Sequence, residues 1–588
     1  MSIPMRFIIP LFVVLLVWME GAPCASADGD PPLPTSVAAP PVYQHAVVAA
    51  DHPLASQAGV EILQQGGNVV DAAVATAFAL AVVRPASCGL GGGGFMLIWD
   101  ARKKKAVAID YREQAPLQAT ENMFVDPSDR TRAREEASRY GGLAIAVPAH
   151  VAGLCLALRE FGTLELPAVI APALRLCREG FVVDPHDREV QREILDEFRQ
   201  HPEFQRRFAT LHRLYLNGGK PWPPEAKFQS PLREVLEKVT AEGASGFYQG
   251  PVAQALVTEI QRQGGRMTLE DLAAVRPKLR EPLSDSLEEW QLLTMPPPSS
   301  GGVALLQTLR LYAAFEPGPG RRDPRGLLLN SPGSLHLLAE SFQHAFADRA
   351  EFLGDADFAD VPVKRLLGAP HLAAMASRID RTQAQPQETY GRFRTPDDGG
   401  TSHFSIIDAA GNAVACTETI NTAFGSLVVE PQFGVLLNNE MDDFTAHPDL
   451  PNAFGLRQSA ANAIAPLKRP LSSMTPTILV RDGQAQFALG ASGGPRIITA
   501  TTQVLLHLTR DRMTPAAAVS APRIHHQWFP HRLELERGFD QELARDLSVF
   551  GHIVRWADDS AVVQAVSRGP DGLRGASDRR KHGRAAGY

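Results

Sequence analysis

The sequence predicts a protein of the α+β class. Two pairs of apolar or alternating segments, 95–99 with 106–111 and 401–408 with 413–420, are each separated by a short polar turn. This arrangement is typical of antiparallel β-hairpins. Residues 150–290, between the two pairs, have a mostly helical pattern with one polar face. Hairpins combined with a long helical region indicate the α+β class.

Composition excludes several classes of protein. The chain has 588 residues, of which 44% are hydrophobic and 21% charged, so it can bury a large core and is not disordered overall. Lys and Arg total 58 against 65 Asp and Glu, which is not the basic excess expected of a nucleic-acid binder. Five cysteines, none in a CxxC pair, exclude a disulfide-dense scaffold, a zinc finger and a thioredoxin-type motif.

Residues 1–27 read as a secretory signal peptide. The apolar run 7–19 is too short to span a bilayer, which takes about 20 residues, and small residues follow it at a cleavage-like site. We therefore expect a secreted or periplasmic protein without a stable membrane span, although an uncleaved anchor is the alternative. Export would permit a Cys155–Cys177 disulfide, but two buried free thiols are the favoured expectation.

Other local patterns complete the order of elements. Residues 28–45 read as a loose leader, and 46–86 as helical, with a stop at Gly66-Gly67 and Asn68 as the cap of the next helix. The segment 296–302, Pro-Pro-Pro-Ser-Ser-Gly-Gly, predicts a rigid turn before a helix at 303–315.

The junction at Gly400-Thr401 is unusual. A polar stretch rich in Pro and Gly, 380–400, runs directly into the strand that begins at Thr401. An interdomain linker is one interpretation. The other is a chemical one: a threonine that becomes the first residue of a chain can use its own α-amino group as the base that activates its hydroxyl. That chemistry requires cleavage of the Gly400–Thr401 bond, which spacing alone does not establish.

Two further motifs have alternative interpretations. The glycines of 89–94 match a dinucleotide fingerprint in form, but they lead into a strand rather than a helix, so a tight turn or close backbone contact is favoured. The segment 490–494 matches the nucleophile elbow of serine hydrolases, with Ser492 as nucleophile; it could equally be a glycine turn that forms an oxyanion site. The downstream candidates for an acid and a base are Asp540, Asp546, His525, His526, His531 and His552.

An ordered set of motifs covers nearly the whole chain after the leader. It comprises 66–73 (GGNVVDAA), 89–97 (GLGGGGFML), 110–113 (DYRE), 297–302 (PPSSGG), 401–405 (TSHFS), 419–426 (TINTAFGS), 437–444 (LNNEMDDF), 468–477 (KRPLSSMTPT), 493–498 (GGPRII), 525–528 (HHQW) and 575–578 (GASD). With these motifs the sequence resembles the gamma-glutamyltransferases, also called gamma-glutamyl transpeptidases or glutathione hydrolases.

The resemblance implies a fold and a maturation path. Members of this family are N-terminal nucleophile hydrolases, a four-layer αββα sandwich with two stacked, mainly antiparallel sheets between helical layers. They are made as a proenzyme that cuts itself into two subunits. On this chain the family pattern implies a signal peptide 1–27, a large subunit 28–400 and a small catalytic subunit 401–588, which together form one core as a heterodimer.

The resemblance also implies the catalytic groups. Thr401 is the expected nucleophile, both for self-cleavage and for attack on the gamma-glutamyl amide. Thr419 is expected to orient it. Gly493 and Gly494 are expected to offer backbone N–H groups to the tetrahedral oxyanion.

The remaining implied residues hold the glutamyl group. Arg112 suits the α-carboxylate, helped by the hydroxyls of Ser472 and Ser473. Asn421, Glu440 and Asp443 are expected to take the α-ammonium. Phe454 stands in a lid segment where many members carry Tyr, so we expect a lid that opens more readily and relatively more hydrolysis.

The implied reaction is a double displacement through a gamma-glutamyl ester of Thr401. Glutathione or its conjugates would be the donors, and water, amino acids or dipeptides the acceptors. The mechanism calls for no metal and no organic cofactor, and no nucleic acid is an expected partner. Three alternatives remain: an acylase of the same fold resembling the cephalosporin acylases, a Ser492 hydrolase, and an unprocessed binding protein without catalysis.

Overall fold

The computed structural model describes residues 41–588 except 127, 129–133, 135, 316–328, 392–399, 446–458 and 559–560. The predicted signal peptide, most of the predicted leader and Phe454 lie outside the described residues. Among the described residues, no helix combines the length and the apolar character that crossing a bilayer requires.

The strands, in chain order, are β1 (Ala46–Ala50), β2 (Gly93–Asp100), β3 (Lys105–Tyr111), β4 (Phe181–Val182), β5 (Lys227–Phe228), β6 (Lys278–Arg280), β7 (Leu283–Leu287), β8 (Trp290–Thr294), β9 (Gly400–Asp408), β10 (Ala413–Asn421), β11 (Thr477–Arg481), β12 (Gln484–Ser492), β13 (Ile524–His525), β14 (Leu533–Glu536), β15 (Val554–Ala557), β16 (Val562–Gly569), β17 (Gly572–Ser577) and β18 (Ala586–Gly587).

The α-helices are α1 (Pro53–Gln64), α2 (Val69–Val83), α3 (His150–Phe161), α4 (Leu166–Glu179), α5 (Pro185–Gln200), α6 (Glu203–Arg207), α7 (Ala209–Leu214), α8 (Arg233–Glu242), α9 (Ser245–Tyr248), α10 (Gly250–Arg262), α11 (Leu269–Ala273), α12 (Gly301–Phe315), α13 (Pro332–Phe352), α14 (Val363–Leu366), α15 (Ala369–Ala376), α16 (Arg496–Thr509), α17 (Pro515–Ser520) and α18 (Gln541–Val549). Both predicted hairpins, the helical region 150–290 and the helix after 296–302 are confirmed.

Two antiparallel sheets form the centre of the fold. The first has the strand order β18-β1-β9-β10-β2-β3-β6, and the second has the order β17-β16-β12-β11-β8-β7. Strands β9 and β10 pack on β12, which joins the sheets face to face. Helices α1 and α2 cover the outer face of the first sheet, and α16 with α12 covers the second. The predicted αββα sandwich is therefore confirmed.

Side-chain alternation along β9 shows which face carries the site. Phe404 and Ile406 pack with the helices on the outer face, while Ile407 belongs to the core on the other side of the sheet. Because successive strand residues point to opposite faces, Thr401 and His403 share the face of Ile407. The first residue of the predicted small subunit is thus directed toward the second sheet.

One predicted element was wrong. Residues 46–86 were predicted to be helical apart from the stop at Gly66-Gly67, yet 46–50 form β1, which lies between β18 and β9 in the first sheet. This segment is a short apolar run buried on both faces, and periodicity cannot separate such a strand from a buried helix. The other boundaries in this region are confirmed, because α1 ends at Gln64 before Gly66, whose φ is +93°. Cys155 and Cys177 are free thiols, as favoured, but only Cys177 is buried and Cys155 is half-buried.

The start of α2 depends on a reciprocal hydrogen-bonded cap. The Asn68 Oδ1 atom accepts from the N–H groups of Val70 and Asp71, and the Asp71 carboxylate accepts from the Asn68 N–H at 2.8 Å. The same carboxylate accepts from the N–H and the hydroxyl of Thr163. Since every residue of α2 is buried, this cap anchors a central helix of the outer layer.

We predict that Asn68→Ala lowers the free energy of unfolding by about 0.5–2 kcal/mol, the usual cost of removing a cap. Asn68→Ser keeps an accepting oxygen but loses the amide bond to the Phe161 carbonyl, so its effect should be intermediate. Urea unfolding of the parent and the two variants measures the order of their free energies of unfolding. Equal stability of the alanine variant and the parent would contradict the prediction.

Candidate active site

A chain of hydrogen bonds surrounds the Gly400–Thr401 bond, which is intact in this structure of the uncut chain. The Thr419 hydroxyl donates to the Gly400 carbonyl at 2.6 Å, and the Asn421 N–H donates to the Thr419 oxygen at 2.8 Å. Thr419 has only one hydroxyl proton, so in its 3.2 Å contact with the Thr401 Oγ1 atom Thr401 is the donor. The nucleophile expected from the sequence therefore lies beside a polarised carbonyl.

Strand pairing produces this arrangement. Thr401 is opposite Thr419 in the β9–β10 ladder, and a register shift then places Gly400 opposite Asn421. A Cβ atom on residue 400 would lie 2.6 Å from the backbone carbon of Thr422 and 2.7 Å from the Asn421 oxygen. Only glycine fits there, because backbone atoms cannot move aside as a flexible side chain can.

Lys581 is a site residue that the sequence interpretation missed. Its Nζ atom donates to the Thr401 carbonyl at 2.6 Å and forms an ion pair with Asp51 at 2.8 Å. Lys581 is buried although it lies in a strongly basic stretch near the carboxyl end. The nearby GASD motif at 575–578 was the only sequence feature that pointed to this region.

Arg112 forms the centre of a buried charge cluster. It follows β3, and its guanidinium forms an ion pair with Glu440 at 2.5 Å and another with Asp443. Its Nε atom donates to the Pro470 carbonyl at 3.2 Å. Glu440 and Asp443 are the ends of a single 3-10 turn, Glu440–Asp443. Residues that the resemblance assigned to opposite ends of a zwitterion thus pair with one another here.

Ser472 and Ser473 are held by the 297–302 motif. The Ser472 N–H donates to the Pro298 carbonyl at 3.0 Å, and the Ser300 hydroxyl donates to the Ser472 carbonyl at 2.6 Å. Arg349 bridges this contact, since its guanidinium donates to the Ser300 hydroxyl at 2.8 Å and to the Ser473 hydroxyl at 3.1 Å. Arg349 lies on α13, and nothing in its local sequence indicated this position.

Gly493 and Gly494 connect β12 to α16. Their φ angles are +125° and +58°, in the region that favours glycine. Among the described residues, neither N–H donates to a backbone carbonyl outside the strand ladder. These donors precede a helix of 14 residues, whose N-terminal dipole favours negative charge. The turn is therefore suited to an oxyanion.

One narrow pocket brings most of the expected residues together. Gly493 does not line it directly, although its neighbour Gly494 does, and Phe454 lies outside the described residues. The lining residues are Arg112, Thr401, Thr419, Asn421, Glu440, Asp443, Ser472, Ser473, Met474, Gly494 and Ile497.

Burial changes the protonation of groups around this cavity. Burial alone would lower the pKa of Arg112, but the carboxylates of Glu440 and Asp443 raise it above its ordinary value, so the guanidinium stays charged. Burial raises the pKa of Glu113 to about 8 and that of Asp442 to about 7. The Asp442 Oδ1 atom has no hydrogen-bond partner in the part of the chain that the structure describes.

The other two motifs have structural explanations. A Cβ atom on Gly91 would lie 1.9 Å from the Leu436 carbonyl, so the 89–94 glycines allow close backbone approach, as favoured. Ser492 has no hydrogen bond to an imidazole among the described residues. His525 is bonded to Thr499 and Gln527, and Asp540 caps α18. The elbow triad is not assembled.

Known proteins resemble this chain over most of its length. A family model described as Gamma-glutamyltranspeptidase matches residues 55–588. The glutathione hydrolase proenzyme of Escherichia coli (strain K12) is 38% identical over 580 residues, which cover 97% of this chain and 97% of that protein.

Two solved structures also match. The crystal structure of cephalosporin acylase from Bacillus halodurans superposes with a TM-score of 0.82 at 25% identity, covering 96% of this chain and 99% of that one. The crystal structure of Helicobacter pylori gamma-glutamyltranspeptidase superposes with a TM-score of 0.52 at 34% identity, covering 60% of this chain and 95% of that one. Both support the sandwich architecture described above.

We predict that Asp442 makes the protein less stable as pH rises. Burial raises its pKa from 3.8 to about 7, so between these values the folded chain keeps a proton that the unfolded chain has released. The free energy of unfolding therefore falls as pH rises through this range. Asp442→Asn, which does not titrate, should flatten the fall in Tm between about pH 5 and pH 7.

Asp482→Asn is the matched control, because Asp482 has a highly exposed side chain at a turn. It should keep the parent's dependence of Tm on pH. A parent-like slope in Asp442→Asn would show that the buried carboxyl does not hold its proton.

Proposed function

The chain belongs to the gamma-glutamyltranspeptidase family, and we propose that it is a self-processing glutathione hydrolase that also transfers the gamma-glutamyl group. It is an enzyme of gamma-glutamyl hydrolysis and transfer. The observation that supports self-processing and glutathione cleavage is one pocket. The Thr401 hydroxyl, the Gly494 turn and the Arg112 cation with its two carboxylates all line it. These groups match a nucleophile, an oxyanion site and a binding site for an α-amino acid.

Maturation would begin at the Gly400 carbonyl. The Thr401 oxygen attacks the Gly400 carbon, and the Thr419 hydroxyl, which already donates to that carbonyl oxygen, stabilises the negative charge that develops there. The bond between the Gly400 carbon and the Thr401 nitrogen then breaks, and the proton lost by the hydroxyl ends on that nitrogen, which becomes the α-amine. Water hydrolyses the ester that remains, which frees the Gly400 carboxylate and restores the Thr401 hydroxyl. The products are the fragments 28–400 and 401–588, which stay together as a heterodimer after loss of the signal peptide.

The new α-amine of Thr401 would then serve as the base in turnover. It takes the hydroxyl proton while the Thr401 oxygen attacks the gamma-glutamyl carbonyl. Backbone N–H groups at Gly493 and Gly494 hold the oxyanion. The amine product leaves with a proton, and water or an amino acid resolves the ester.

Substrate selection would follow from an exchange of ion-pair partners in the site. In the free site the Arg112 cation is neutralised by Glu440 and Asp443. A glutamyl group brings both a carboxylate and an ammonium, so the carboxylate can pair with the cation while the ammonium pairs with the acids, and every buried charge keeps a partner. A neutral acyl group carries no charges that could replace the ion pairs of Arg112 with Glu440 and Asp443. If it separated them, it would leave buried charges unpaired, which is costly.

Glutathione as donor is supported by the names of the curated relatives, and export by the predicted signal peptide 1–27. A cephalosporin acylase activity is the second candidate, because the structure of such an enzyme superposes over almost the whole chain. The buried cation with its two acids favours the glutamyl substrate over it.

We predict that Thr401→Ala stops both maturation and turnover. The parent should run on a denaturing gel as two fragments, and the smaller one should begin Thr-Ser-His on amino-terminal sequencing. The alanine variant should remain one chain, with glutathione hydrolysis reduced more than about a thousandfold, the scale seen when a nucleophile is removed.

Ser492→Ala separates this mechanism from the elbow interpretation. It should be cut normally and should keep glutathione hydrolysis near the parent's rate. An uncut parent with full activity would contradict the Thr401 mechanism, and an inactive Ser492 variant that is correctly cut would favour the elbow.

We predict that Asp443→Asn raises KM for glutathione about 10–150-fold, which corresponds to the loss of one charge-assisted hydrogen bond of about 1.5–3 kcal/mol. The cause is loss of a negative partner for the α-ammonium. Asp442→Asn is the matched control, since this neighbouring carboxyl does not line the cavity and bonds to Ser138 instead. Equal KM values for the two variants would contradict the assignment.

A further inference from the structure

A buried group of His336, Glu340 and His552, here called the histidine–glutamate cluster, lies apart from the residues that line the Thr401 cavity. His336 and Glu340 are one helical turn apart on α13, and His552 follows α18. One donor atom from each residue lies within 4.8 Å of the other two, and the His336 Nδ1 atom is 2.8 Å from the His552 Nε2 atom. All three residues are buried.

Surrounding hydrogen bonds orient these donors. The His336 Nε2 atom lies 2.8 Å from the Asp380 carbonyl, which can only accept, so this nitrogen carries the proton and Nδ1 carries the lone pair. The Glu340 carboxylate accepts from the Tyr390 hydroxyl at 2.6 Å and from the Gln343 amide at 3.0 Å. Such outer contacts to ligand imidazoles and carboxylates are the usual support of protein metal sites.

The nearby residues add further imidazoles. The His526 ring lies 6.4 Å from the His552 ring and 5.5 Å from the His531 ring. The His531 Nδ1 atom is buried and has no hydrogen-bond partner in the described part of the chain.

We propose that the histidine–glutamate cluster binds one zinc ion, or another divalent transition metal that accepts nitrogen and oxygen, through His336 Nδ1, His552 Nε2 and the Glu340 carboxylate. Water or the His531 imidazole completes four ligands. Zinc–nitrogen bonds of about 2.0–2.1 Å place tetrahedral ligands about 3.3 Å apart, so the two imidazoles must separate by about half an ångström. The proton that the His552 Nε2 atom now donates to the His336 Nδ1 atom moves to the His552 Nδ1 atom when the metal binds, so that His552 stays a neutral imidazole.

The site would be structural rather than catalytic. Two of its ligands, His336 and Glu340, precede residue 400, and His552 follows it. If the proposed cut at Gly400–Thr401 takes place, the metal joins the two fragments. Binding itself does not depend on the cut, because the three donors are already close in the uncut chain.

Titration of the full-length, chelator-treated protein with zinc sulfate tests the proposal. We expect about one equivalent to bind per chain with a rise in Tm, and cobalt chloride to give the intense visible bands of four-coordinate Co²⁺. His552→Gln should abolish both signals. Tyr390→Phe, which removes the hydroxyl that donates to Glu340 and accepts from Gln343, should weaken zinc binding about 10–100-fold.

His371→Gln is the matched control, because this imidazole pairs with Asp348 outside the cluster. It should bind zinc as the parent does. Absence of saturable zinc binding in the folded parent, equal binding by folded His552→Gln, or a six-coordinate cobalt spectrum would each overturn the proposal. None of these measurements uses gamma-glutamyl cleavage. A chain that is inactive toward glutathione could therefore still bind the metal, and an active chain could fail to bind it.

Discussion

The register between β9 and β10 is the constraint on which the rest of the site depends. It places Thr401 opposite Thr419, so that one hydroxyl contacts both the Thr401 oxygen and the Gly400 carbonyl. A slip of one residue would turn Thr401 toward the outer helices, because strand side chains alternate between faces. The same slip would move Phe404 and Ile406 out of the apolar cluster that they form with the outer helices.

The charge cluster at Arg112 is better understood as a binding element than as a source of stability. Buried ion pairs often contribute little net stability, because removing both charges from water costs about as much as their attraction returns. A site that pairs its own charges stays folded without ligand. It also selects a ligand with both charges at the right spacing. In the proposed mechanism, the turn 440–443 and the loop after β3 hold the Arg112 cation and its two carboxylates in position to bind such a ligand.

The sequence was most informative where local pattern decides structure. Alternation in 401–408 and the cap at Asn68 were read correctly because each involves neighbouring residues. Strand β1 was misread because a buried apolar run of five residues has no distinctive period.

Contacts between distant residues could not be predicted in this way. Lys581 was not singled out in the sequence, and only its pairing with the distant Asp51 explains why it is buried beside Thr401. Arg349 is similar, since its partners Ser300 and Ser473 are remote in sequence. The histidines near the carboxyl end were visible as candidate bases, but the helix that meets them, α13, was not.

The strand order has a consequence for the two proposed fragments. In the first sheet, β18 and the β9–β10 pair, which belong to the second fragment apart from Gly400, pair with β1 and β2 of the first fragment. In the second sheet, β11, β12, β16 and β17 of the second fragment share the sheet with β7 and β8 of the first. After a cut, neither of the two central sheets would lie within a single fragment. Dissociation would then be the same event as global unfolding, so dilution alone would not separate the fragments. Loss of the assembly by heating would be governed by an unfolding rate and would be hard to reverse, because each separated piece would expose unpaired strand edges.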